Sequence, residues 1–260
     1  MTTLSIDDFP SFFEALWGHP PFPWQNRLAR LVAAQGWPKA LDLPTASGKT
    51  AVLDIALFHL ALEANKGAAR TAPLRILHVV DRRLIVDDSY RRAQKIADKL
   101  AAPDHPVLHH VAEALRGLAG ENEKPVNVVQ LRGGMPKEPD WARTPCQPTI
   151  VSSTVDQVGS RLLFRGYGVS DRMKPVHAGL VGSDALFLLD EAHLSEPFRQ
   201  TLESISRETR LNVVTLSATL GACDTPPFRL DEQDGADDRL IKRLNARKPA
   251  ELIKCTHALK

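Results

Sequence analysis

The chain has 260 residues, of which 43% are hydrophobic and 25% are charged, and its formal net charge is +2. This composition excludes wholesale disorder, and the length allows one large domain or two small ones. The first residues lack the basic start and cleavage site of a secretory signal, and no apolar run approaches the roughly 20 residues that span a bilayer. We therefore expect a cytoplasmic protein that does not contact a membrane.

Short apolar runs alternate with helix-like stretches along the chain, which is typical of a mostly parallel sheet with crossover helices. The runs are rich in Val, Ile and Leu with little alternation, as expected for strands buried on both faces. Strands are predicted over Ala40–Leu43, Arg75–Val80, Val126–Gln130, Thr149–Ser152, Ala185–Leu189 and Asn212–Leu216. Helices are predicted over Lys49–Glu63, Val86–Leu100, Thr154–Phe164 and Pro197–Arg207. The predicted fold class is therefore α/β, with helices on both faces of the sheet.

Three segments interrupt this alternation. Residues 101–125 carry prolines and glycines around one short predicted helix, Val107–Leu118, and are predicted to form a surface insertion. Residues 165–180 are predicted to be rich in turns. Residues 223–260 shift to prolines and acidic side chains, which predicts a linker that leads to a further strand over Ala250–Cys255.

The segment Leu43-Pro-Thr-Ala-Ser-Gly-Lys-Thr50 follows a predicted strand and opens a predicted helix, which is the context that a phosphate-binding loop requires. Backbone N–H groups of such a loop converge on a triphosphate at the helix N-terminus. Lys49 would reach the outer phosphates, and Thr50 would place its hydroxyl on Mg²⁺. The predicted nucleotide-binding residues of this loop are Pro44, Thr45, Ala46, Ser47, Gly48, Lys49 and Thr50.

The loop departs from the pattern G-x-x-x-x-G-K-[ST] because Leu43 stands at the first glycine position. Ala46 would also be strained if its position needs a positive φ. Taken alone, Ser-Gly-Lys-Thr at a helix start can also arise by chance.

Two further motifs end predicted strands. Asp-Glu-Ala-His at 190–193 lies where open α/β sheets bind ligands, at the carboxyl end of a strand. Asp190 would hold the Mg²⁺ shared with Thr50, and Glu191 would orient and deprotonate the water that attacks the γ-phosphate. With Lys49, these two carboxylates form the predicted catalytic set of an ATP hydrolase. Leu216-Ser-Ala-Thr219 ends the next strand, and hydroxyls there are expected to hydrogen-bond the acidic motif. The predicted coupling residues are His193, Ser217 and Thr219.

In this order the motifs resemble motifs I, II and III of superfamily 2 helicases, here Pro44–Thr50, Asp190–His193 and Ser217–Thr219. The resemblance implies a RecA-like P-loop NTPase domain, which we expect over residues 36–222, with ATP and Mg²⁺ as cofactors. In related helicase loops the position of Ala46 is usually glycine.

Upstream, Phe22-Pro-Trp-Gln-Asn26 resembles the adenine-reading glutamine motif and would lie in an N-terminal extension over residues 1–35. The resemblance places Gln25 at the adenine edge, with Phe22 or Trp24 packed against the base. In the alternative interpretation, this cluster starts a helix and fills a groove in the core.

Further segments resemble the CRISPR-associated helicase of type I interference systems, and most closely its subtype U, now G. These segments are His78–Asp87, Gln130–Gly134, Ser152–Gln157, Arg161–Tyr167 and Gly168–Asp184. Such enzymes are recruited to target DNA by an RNA-guided surveillance complex, translocate on single-stranded DNA with ATP and degrade it with an HD nuclease domain. The strand contacts that this resemblance implies are Arg82, Arg83, Arg132, Gly133, Ser153, Thr154 and Gln157.

The resemblance also implies a second RecA-like domain, whose arginines are worth about 10³–10⁵ in rate in related nucleotidases. We expect that domain and the HD nuclease domain to be missing from these 260 residues, so that the chain is a motor half with weak or no activity alone. Two alternatives stay open, the N-terminal half of another DEAH-box DNA or RNA helicase and a non-motor module that binds a nucleotide or a nucleic acid. A P-loop kinase would leave Asp-Glu-Ala-His and Ser-Ala-Thr without a role.

Overall fold

A parallel β-sheet forms the centre of the protein in the computed structural model, which describes residues 4–120, 124–133, 140–217 and 225–246. Within these ranges the sheet has seven strands in the order β3-β4-β2-β5-β6-β1-β7, and all the recorded pairings are parallel. The strands are β1 (Ala40–Asp42), β2 (Arg75–Val80), β3 (Asn127–Leu131), β4 (Thr149–Thr154), β5 (Ala185–Asp190), β6 (Leu211–Ser217) and β7 (Phe228–Arg229). The six predicted strands are all confirmed, and the predicted α/β class with a RecA-like sheet is correct.

Helices connect these strands. They are α1 (Phe9–Trp17), α2 (Pro23–Gln35), α3 (Val52–Leu62), α4 (Arg83–Ala101), α5 (Pro106–Leu118), α6 (Val155–Leu162), α7 (Lys174–Gly182), α8 (Glu196–Ser206) and α9 (Asp238–Leu244). The prediction of turns over residues 165–180 is wrong for its second half, because α7 begins there with a proline in its first turn, a position that suits the fixed φ of proline. None of the helices in the described ranges is long and apolar enough to cross a membrane.

Hydrophobic side chains pack on both faces of the sheet. Successive residues of a strand point to opposite faces, and β5 shows this alternation. Leu186 and Leu188 join the larger cluster with the first helices, whereas Phe187 and Leu189 join the cluster on the other face. Burial on both faces explains why the strands read as continuous apolar runs.

Helix α3 lies directly behind the phosphate-binding segment and is buried around its whole circumference from Val52 to Ala61. Its one carboxylate, Asp54, accepts hydrogen bonds from Trp17 Nε1 at 2.7 Å and from Arg92 Nε at 2.8 Å. The Arg92 guanidinium also lies over the Trp17 ring, 3.9 Å from its centroid. The buried Asp54 carboxylate therefore joins α3 to α4 by an ion pair and to α1 by a hydrogen bond.

The N-terminal residues are part of this core. Phe9, Phe12 and Trp24 are fully buried in the larger cluster, so the described residues from 4 onward pack on the same core as α3, while the domain boundary at residue 35 stays a prediction. Local signals for α1 and α2 exist, since a proline stands in the first turn of each helix.

Two of the predicted peripheral segments also belong to the core. Helix α5 buries Val107, Leu108, Val111, Ala112 and Leu115, so the interpretation of residues 101–125 as a surface insertion is wrong for this helix. Its apolar residues recur at helical spacing, which outweighs the prolines and glycines around it. The described part of the predicted linker, residues 225–246, adds β7 to the edge of the sheet and buries Leu240 of α9 completely. The strand predicted over Ala250–Cys255 lies outside the described residues.

Candidate nucleotide and nucleic-acid site

The phosphate-binding segment leaves β1 as a loop and enters α3 through a turn of 3₁₀ helix over Lys49–Ala51. Gly48 has φ +86°, a conformation that L side chains rarely adopt, and a Cβ there would lie 3.1 Å from Gln25 Nε2. Glycine is therefore required at this position by conformation and by space. Ala46 also has a positive φ, +67°, so it adopts the strained conformation anticipated for it.

The predicted catalytic residues lie together at the carboxyl edge of the sheet. Lys49 Nζ is 3.3 Å from Glu191 Oε1 and 3.8 Å from Asp190 Oδ1. Asp190 ends β5, and its Oδ1 also accepts a hydrogen bond from the backbone N–H of Glu191 at 3.0 Å. Glu191 has φ +49°, which turns its side chain back toward the lysine. The sheet thus brings together residues that are 142 positions apart in the sequence.

A chain of polar contacts extends from Glu191 to β6. His193 Nδ1 lies 3.5 Å from Glu191 Oε2 and 3.3 Å from Ser217 Oγ. The contact between Ser217 and the acidic motif is the one that the sequence predicts, although the coupling role of both residues stays a prediction. Thr219, the third predicted coupling residue, lies outside the described residues.

His78 lies at the site, although it was not among the predicted site residues. It lies on β2, is nearly fully buried, and its Nε2 is 3.9 Å from Asp190 Oδ2. Burial lowers the pKa of the imidazole, so His78 is neutral at neutral pH and packs beside Asp190 without forming an ion pair. A histidine among the apolar residues of 76–80, two residues before the end of a central strand, was the available sequence signal.

The donor set suits Mg²⁺ held jointly with a nucleotide. Among the described residues no group of three His, Cys, Asp or Glu side chains converges as a metal cage. Mg²⁺ is usually bound through one or two carboxylates together with substrate phosphates and waters. Asp190 and the hydroxyl of Thr50 are oxygen donors of this kind, and they would hold the ion while it neutralises phosphate charge.

Two side chains of the glutamine motif donate hydrogen bonds to backbone carbonyls of the phosphate loop. Gln25 Oε1 accepts a hydrogen bond from the Phe22 N–H at 2.9 Å, and Gln25 Nε2 donates to the Gly48 carbonyl at 3.3 Å. Trp24 Nε1 donates to the Ser47 carbonyl at 3.1 Å. Phe22 is 5% exposed and Trp24 is 0% exposed, so neither ring offers an open face to a base. Both rings are covered in this conformation, and packing of Phe22 or Trp24 against adenine stays a prediction, as does a contact of Gln25 with adenine.

A cleft of about 270 Å³ opens beside the carboxylates. Its lining residues come from two strand ends and the helices after them, and they are Val80, Asp81, Arg82, Ile85, Asp190, Glu191, His193 and Leu194. Arg82 is exposed there, next to the hydrolytic residues. Of the predicted strand contacts, Arg82 is the one that lines the same cleft as Asp190 and Glu191.

The other predicted strand contacts on β3 and α4 are engaged with the protein. Arg132 Nε lies 3.0 Å from Asp87 Oδ1, which also accepts a hydrogen bond from Gln130 Nε2 at 2.6 Å. The Arg83 guanidinium lies next to Gly133: a Cβ built on that glycine would be 3.2 Å from Arg83 Nη2. A phosphate could contact Arg132 only in competition with Asp87.

The predicted contacts that follow β4 are also used internally. Ser153 is 0% exposed, and its hydroxyl donates to the Thr154 carbonyl, so this hydroxyl is not available to a strand in this conformation. Thr154, itself nearly buried, precedes α6. Gln157 Oε1 accepts a hydrogen bond from Arg161 Nη1 at 3.0 Å. Backbone groups at this helix start are better placed than the side chains to meet a phosphate.

These features define a RecA-like nucleotide hydrolase: a parallel sheet, a phosphate loop at the start of a helix, and consecutive Asp and Glu at the end of a neighbouring strand. A family model for DEAD/DEAH box helicases matches residues 25–225, which include β1 to β6, the phosphate loop and both carboxylates. The chain therefore belongs to the DEAD/DEAH box helicase family. It contains an ATP-binding helicase domain of the kind that hydrolyses ATP, typically with Mg²⁺, and acts on nucleic acid. A search of curated proteins found no match.

Proposed function

We propose that this chain is the ATP-binding motor half of a single-stranded-DNA translocase that acts in the cytoplasm in CRISPR type I target DNA degradation. In this proposal an RNA-guided surveillance complex recruits it, a second RecA-like domain completes the ATP site, and an HD nuclease domain cuts the strand that the motor moves along.

One observation carries the motor part of the proposal. Lys49 Nζ lies 3.8 Å from Asp190 Oδ1 and 3.3 Å from Glu191 Oε1, and Arg82 lines the cleft next to both carboxylates. A motor needs its hydrolytic site and its strand site to be adjacent, so that a change in phosphate contacts alters the grip on the strand. Here a single cleft contains residues of both kinds.

The finer assignment is supported by sequence likeness alone. The segments His78–Asp87, Gln130–Gly134 and Ser152–Gln157 resemble the CRISPR-associated helicase, and the first of them contributes Val80, Asp81, Arg82 and Ile85 to the cleft. Their arginines and backbone N–H groups can hold phosphates without reading bases, which suits a protein that moves along a strand.

The first experiment measures binding of Mg·ATP to the purified chain and to its Lys49→Ala variant. Loss of a charge-assisted contact to phosphate is expected to weaken binding by about 100-fold. Lys39→Ala, a change at a lysine just before β1, is the matched control and should bind as the wild type does. If the wild type does not bind Mg·ATP, or if Lys49→Ala binds equally well, the proposed function is wrong.

The second experiment measures ATP hydrolysis without a strand, with single-stranded DNA and with RNA of the same length, alone and with a second RecA-like domain added. We expect hydrolysis that DNA stimulates and that the added domain increases. Stimulation by RNA but not by DNA would rule out the CRISPR assignment and retain the motor. Nucleotide binding without stimulated hydrolysis under any condition would indicate a non-motor binding module instead.

A further inference from the structure

A positive charge is buried on α6 without a negative partner. Arg161 is 3% exposed, and its Nε has no hydrogen-bond partner. Burial lowers the pKa of the guanidinium, and within the described ranges no carboxylate opposes this effect. Arginine nevertheless stays protonated in proteins, and a buried charge without an opposite charge costs free energy. The hydrolytic residues described above do not explain this cation.

The nearest titratable side chain does not compensate the charge either. His177 of α7 is buried, and burial together with the positive charge of Arg161 lowers its pKa, so it is neutral at neutral pH. The Trp141 ring packs edge-on against this imidazole, with 5.2 Å between the ring centroids. His177 Nδ1 and Trp141 Nε1 are both buried without a hydrogen-bond partner. Within the described part of the chain these neighbours bring no anion to Arg161.

Arg161 is bonded to Gln157, one of the predicted strand contacts, which lies one turn earlier on α6. Arg161 Nη1 donates to the Gln157 carbonyl at 2.9 Å and to the side-chain Oε1 at 3.0 Å. Because a guanidinium only donates, the amide atom that it meets is the oxygen, and both Nε2 hydrogens remain for another acceptor. The Gln157 side chain is half-buried, and no partner of Nε2 is recorded among the described residues. Arg161 therefore fixes which end of the Gln157 amide a ligand can meet.

Gln157 is the third residue of α6, which begins at the carboxyl edge of the sheet directly after β4. Thr154 precedes the helix and makes no side-chain cap hydrogen bond, so it leaves the first N–H groups to other acceptors. Such a helix start attracts phosphate. The exposed Asp156 in the first turn disfavours a phosphate, and the charge of Arg161 one turn further along counteracts it. Backbone N–H groups, Gln157 Nε2 and the charge of Arg161 thus all favour a phosphate here.

We propose that Arg161 is a positioning residue for the nucleic-acid strand. It holds the Gln157 amide so that Nε2 joins the backbone N–H groups in donating to a strand phosphate, and this phosphate supplies the negative charge that Arg161 lacks. The inference rests on the proposed function and deepens it, because it explains how one predicted strand contact is held. It also explains the buried cation, since a charge that destabilises the free domain is compensated when the strand binds.

Fluorescence anisotropy with a labelled oligothymidylate measures strand affinity in a double-mutant cycle of Arg161 and Gln157. Arg161→Met replaces the guanidinium by an apolar side chain, and we expect it to weaken binding about tenfold, as the loss of a hydrogen bond to a charged group does. Gln157→Ala is expected to cause a similar loss. The double variant should lose no more than either single variant, because both changes remove the same contact.

Two further variants separate geometry from charge. Arg161→Lys retains the charge but not the planar fork, and its affinity should fall between those of Arg161→Met and the wild type. Arg165→Met is the matched control, since it removes an exposed arginine just beyond the end of α6. It should bind the strand as the wild type does.

Thermal unfolding separates positioning from a structural role. Because Arg161→Met removes an uncompensated buried charge, we expect it to unfold at the temperature of the wild type or above it, although its strand affinity falls. A structural role predicts the reverse, early unfolding and unchanged affinity of the folded protein. If Arg161→Met unfolds early, the test rests on Arg161→Lys, whose binding at wild-type affinity would overturn the inference.

Unchanged strand affinity in Arg161→Met would also overturn it. Additive losses in the double variant would do the same, because Arg161 would then act independently of Gln157, and so would an equal loss in Arg165→Met, because overall charge would then explain the effect. Affinity for Mg·ATP should stay at the wild-type value in every variant, and a parallel loss there would contradict a role confined to the strand. A wild type that binds no strand would contradict the proposed function itself, whereas a wild type that binds one leaves Arg161 to be decided by the cycle.

Discussion

Two regions of the carboxyl edge of the sheet differ in how their charged residues are paired. The nucleotide side holds Lys49, Asp190 and Glu191, and the strand side holds the predicted strand contacts, among them Arg82 and Arg132. On the nucleotide side, Lys49 pairs with both Glu191 and Asp190, so the residues with predicted catalytic roles pair with one another. On the strand side, Arg132 pairs with Asp87, a residue to which no motif gives a role. On the nucleotide side the paired charges all belong to the predicted reaction site. On the strand side the pairing with Asp87 keeps Arg132 from the nucleic-acid phosphate that it is predicted to contact.

This difference has a consequence for ligand exchange. When a triphosphate with Mg²⁺ arrives, Lys49 can exchange carboxylates for phosphate while Asp190 takes the metal, which leaves Glu191 free to contact water. When a strand arrives, Arg132 must leave Asp87, which keeps its hydrogen bond from Gln130. Arg82, which is exposed in the cleft, meets no such competition in the described residues and is the better candidate for a first contact.

The largest expected effect is on hydrolysis. Glu191→Gln removes the carboxylate that is placed to accept a proton from water while retaining a hydrogen-bonding group of the same shape. Loss of a general base typically costs about 10²–10⁴ in rate, so we expect strand-stimulated turnover to fall by that factor and binding of Mg·ATP to persist. Single-turnover hydrolysis beside equilibrium binding measures both quantities.

Glu196→Gln is the control for this change, since Glu196 is an exposed carboxylate at the start of α8. It should hydrolyse ATP at the wild-type rate. Equal turnover in Glu191→Gln and the wild type would contradict the role of Glu191 as general base, and the two sides would then not differ in catalytic function.

The next largest effect is on stability. It tests whether the position of α3 behind the phosphate loop depends on the buried pair of Asp54 and Arg92. Asp54→Ala leaves Arg92 and the Trp17 Nε1 group without the buried carboxylate that both contact. Breaking a buried pair in this way costs about 3–5 kcal/mol, which for a chain of this size lowers the unfolding temperature by roughly 10 °C. Differential scanning calorimetry provides the measurement.

Asp98→Ala, an exposed change on α4, should leave the unfolding temperature unchanged. An Asp54→Ala protein as stable as this control would show that apolar packing alone holds α3 behind the loop.

A smaller effect separates residues within the strand side. Arg82→Ala is expected to weaken binding of single-stranded DNA several-fold and to reduce the slope of log K against log salt by about 0.7, the value for one phosphate contact on a single strand. Arg132→Ala should change affinity less, because Asp87 already occupies this arginine. Fluorescence anisotropy over a range of salt concentrations measures both.

Asp87→Ala is the complementary variant, because it removes the partner of Arg132 and should therefore strengthen DNA binding. Equal losses in Arg82→Ala and Arg132→Ala, with no gain in Asp87→Ala, would show that the pairing with Asp87 does not limit the strand contact.

Much of the nucleotide side could be predicted from the sequence because each motif ends a strand. In a parallel sheet the carboxyl ends of strands share one edge, so the positions of Lys49 and Glu191 followed from their motifs. The strand side could not be predicted in this way. The partner of Arg132 is 45 positions away on α4, and no local pattern marks Asp87 as that partner. Burial of Ser153 was equally hidden, because β4 continues two residues beyond its predicted end.

The segment 225–246 was missed for another physical reason. Its prolines and acidic residues are typical of a linker, yet Asp234 and Asp237 are used to pair with Arg27 and to cap α9. In a sequence, an aspartate that caps a helix or forms a buried ion pair cannot be distinguished by composition from one that is exposed to solvent. The difference lies in partners that only the folded chain reveals.

The smallest expected effect concerns the phosphate loop itself. Ala46 has φ +67°, a conformation that costs a residue with a Cβ about 1–2 kcal/mol, while glycine loses about 0.5–1 kcal/mol more conformational entropy on folding. We expect Ala46→Gly to stabilise the protein by about 0.5–1 kcal/mol and to leave affinity for Mg·ATP unchanged, since the backbone N–H donors remain. Ala101→Gly, at the end of α4, should have the opposite sign, because a helical alanine has no strain to relieve. Urea denaturation of the two variants gives both signs. A loss of stability in Ala46→Gly would mean that the alanine methyl contributes packing worth more than the strain of its backbone, and that the nucleotide side, like the strand side, depends on a contact which its motif does not indicate.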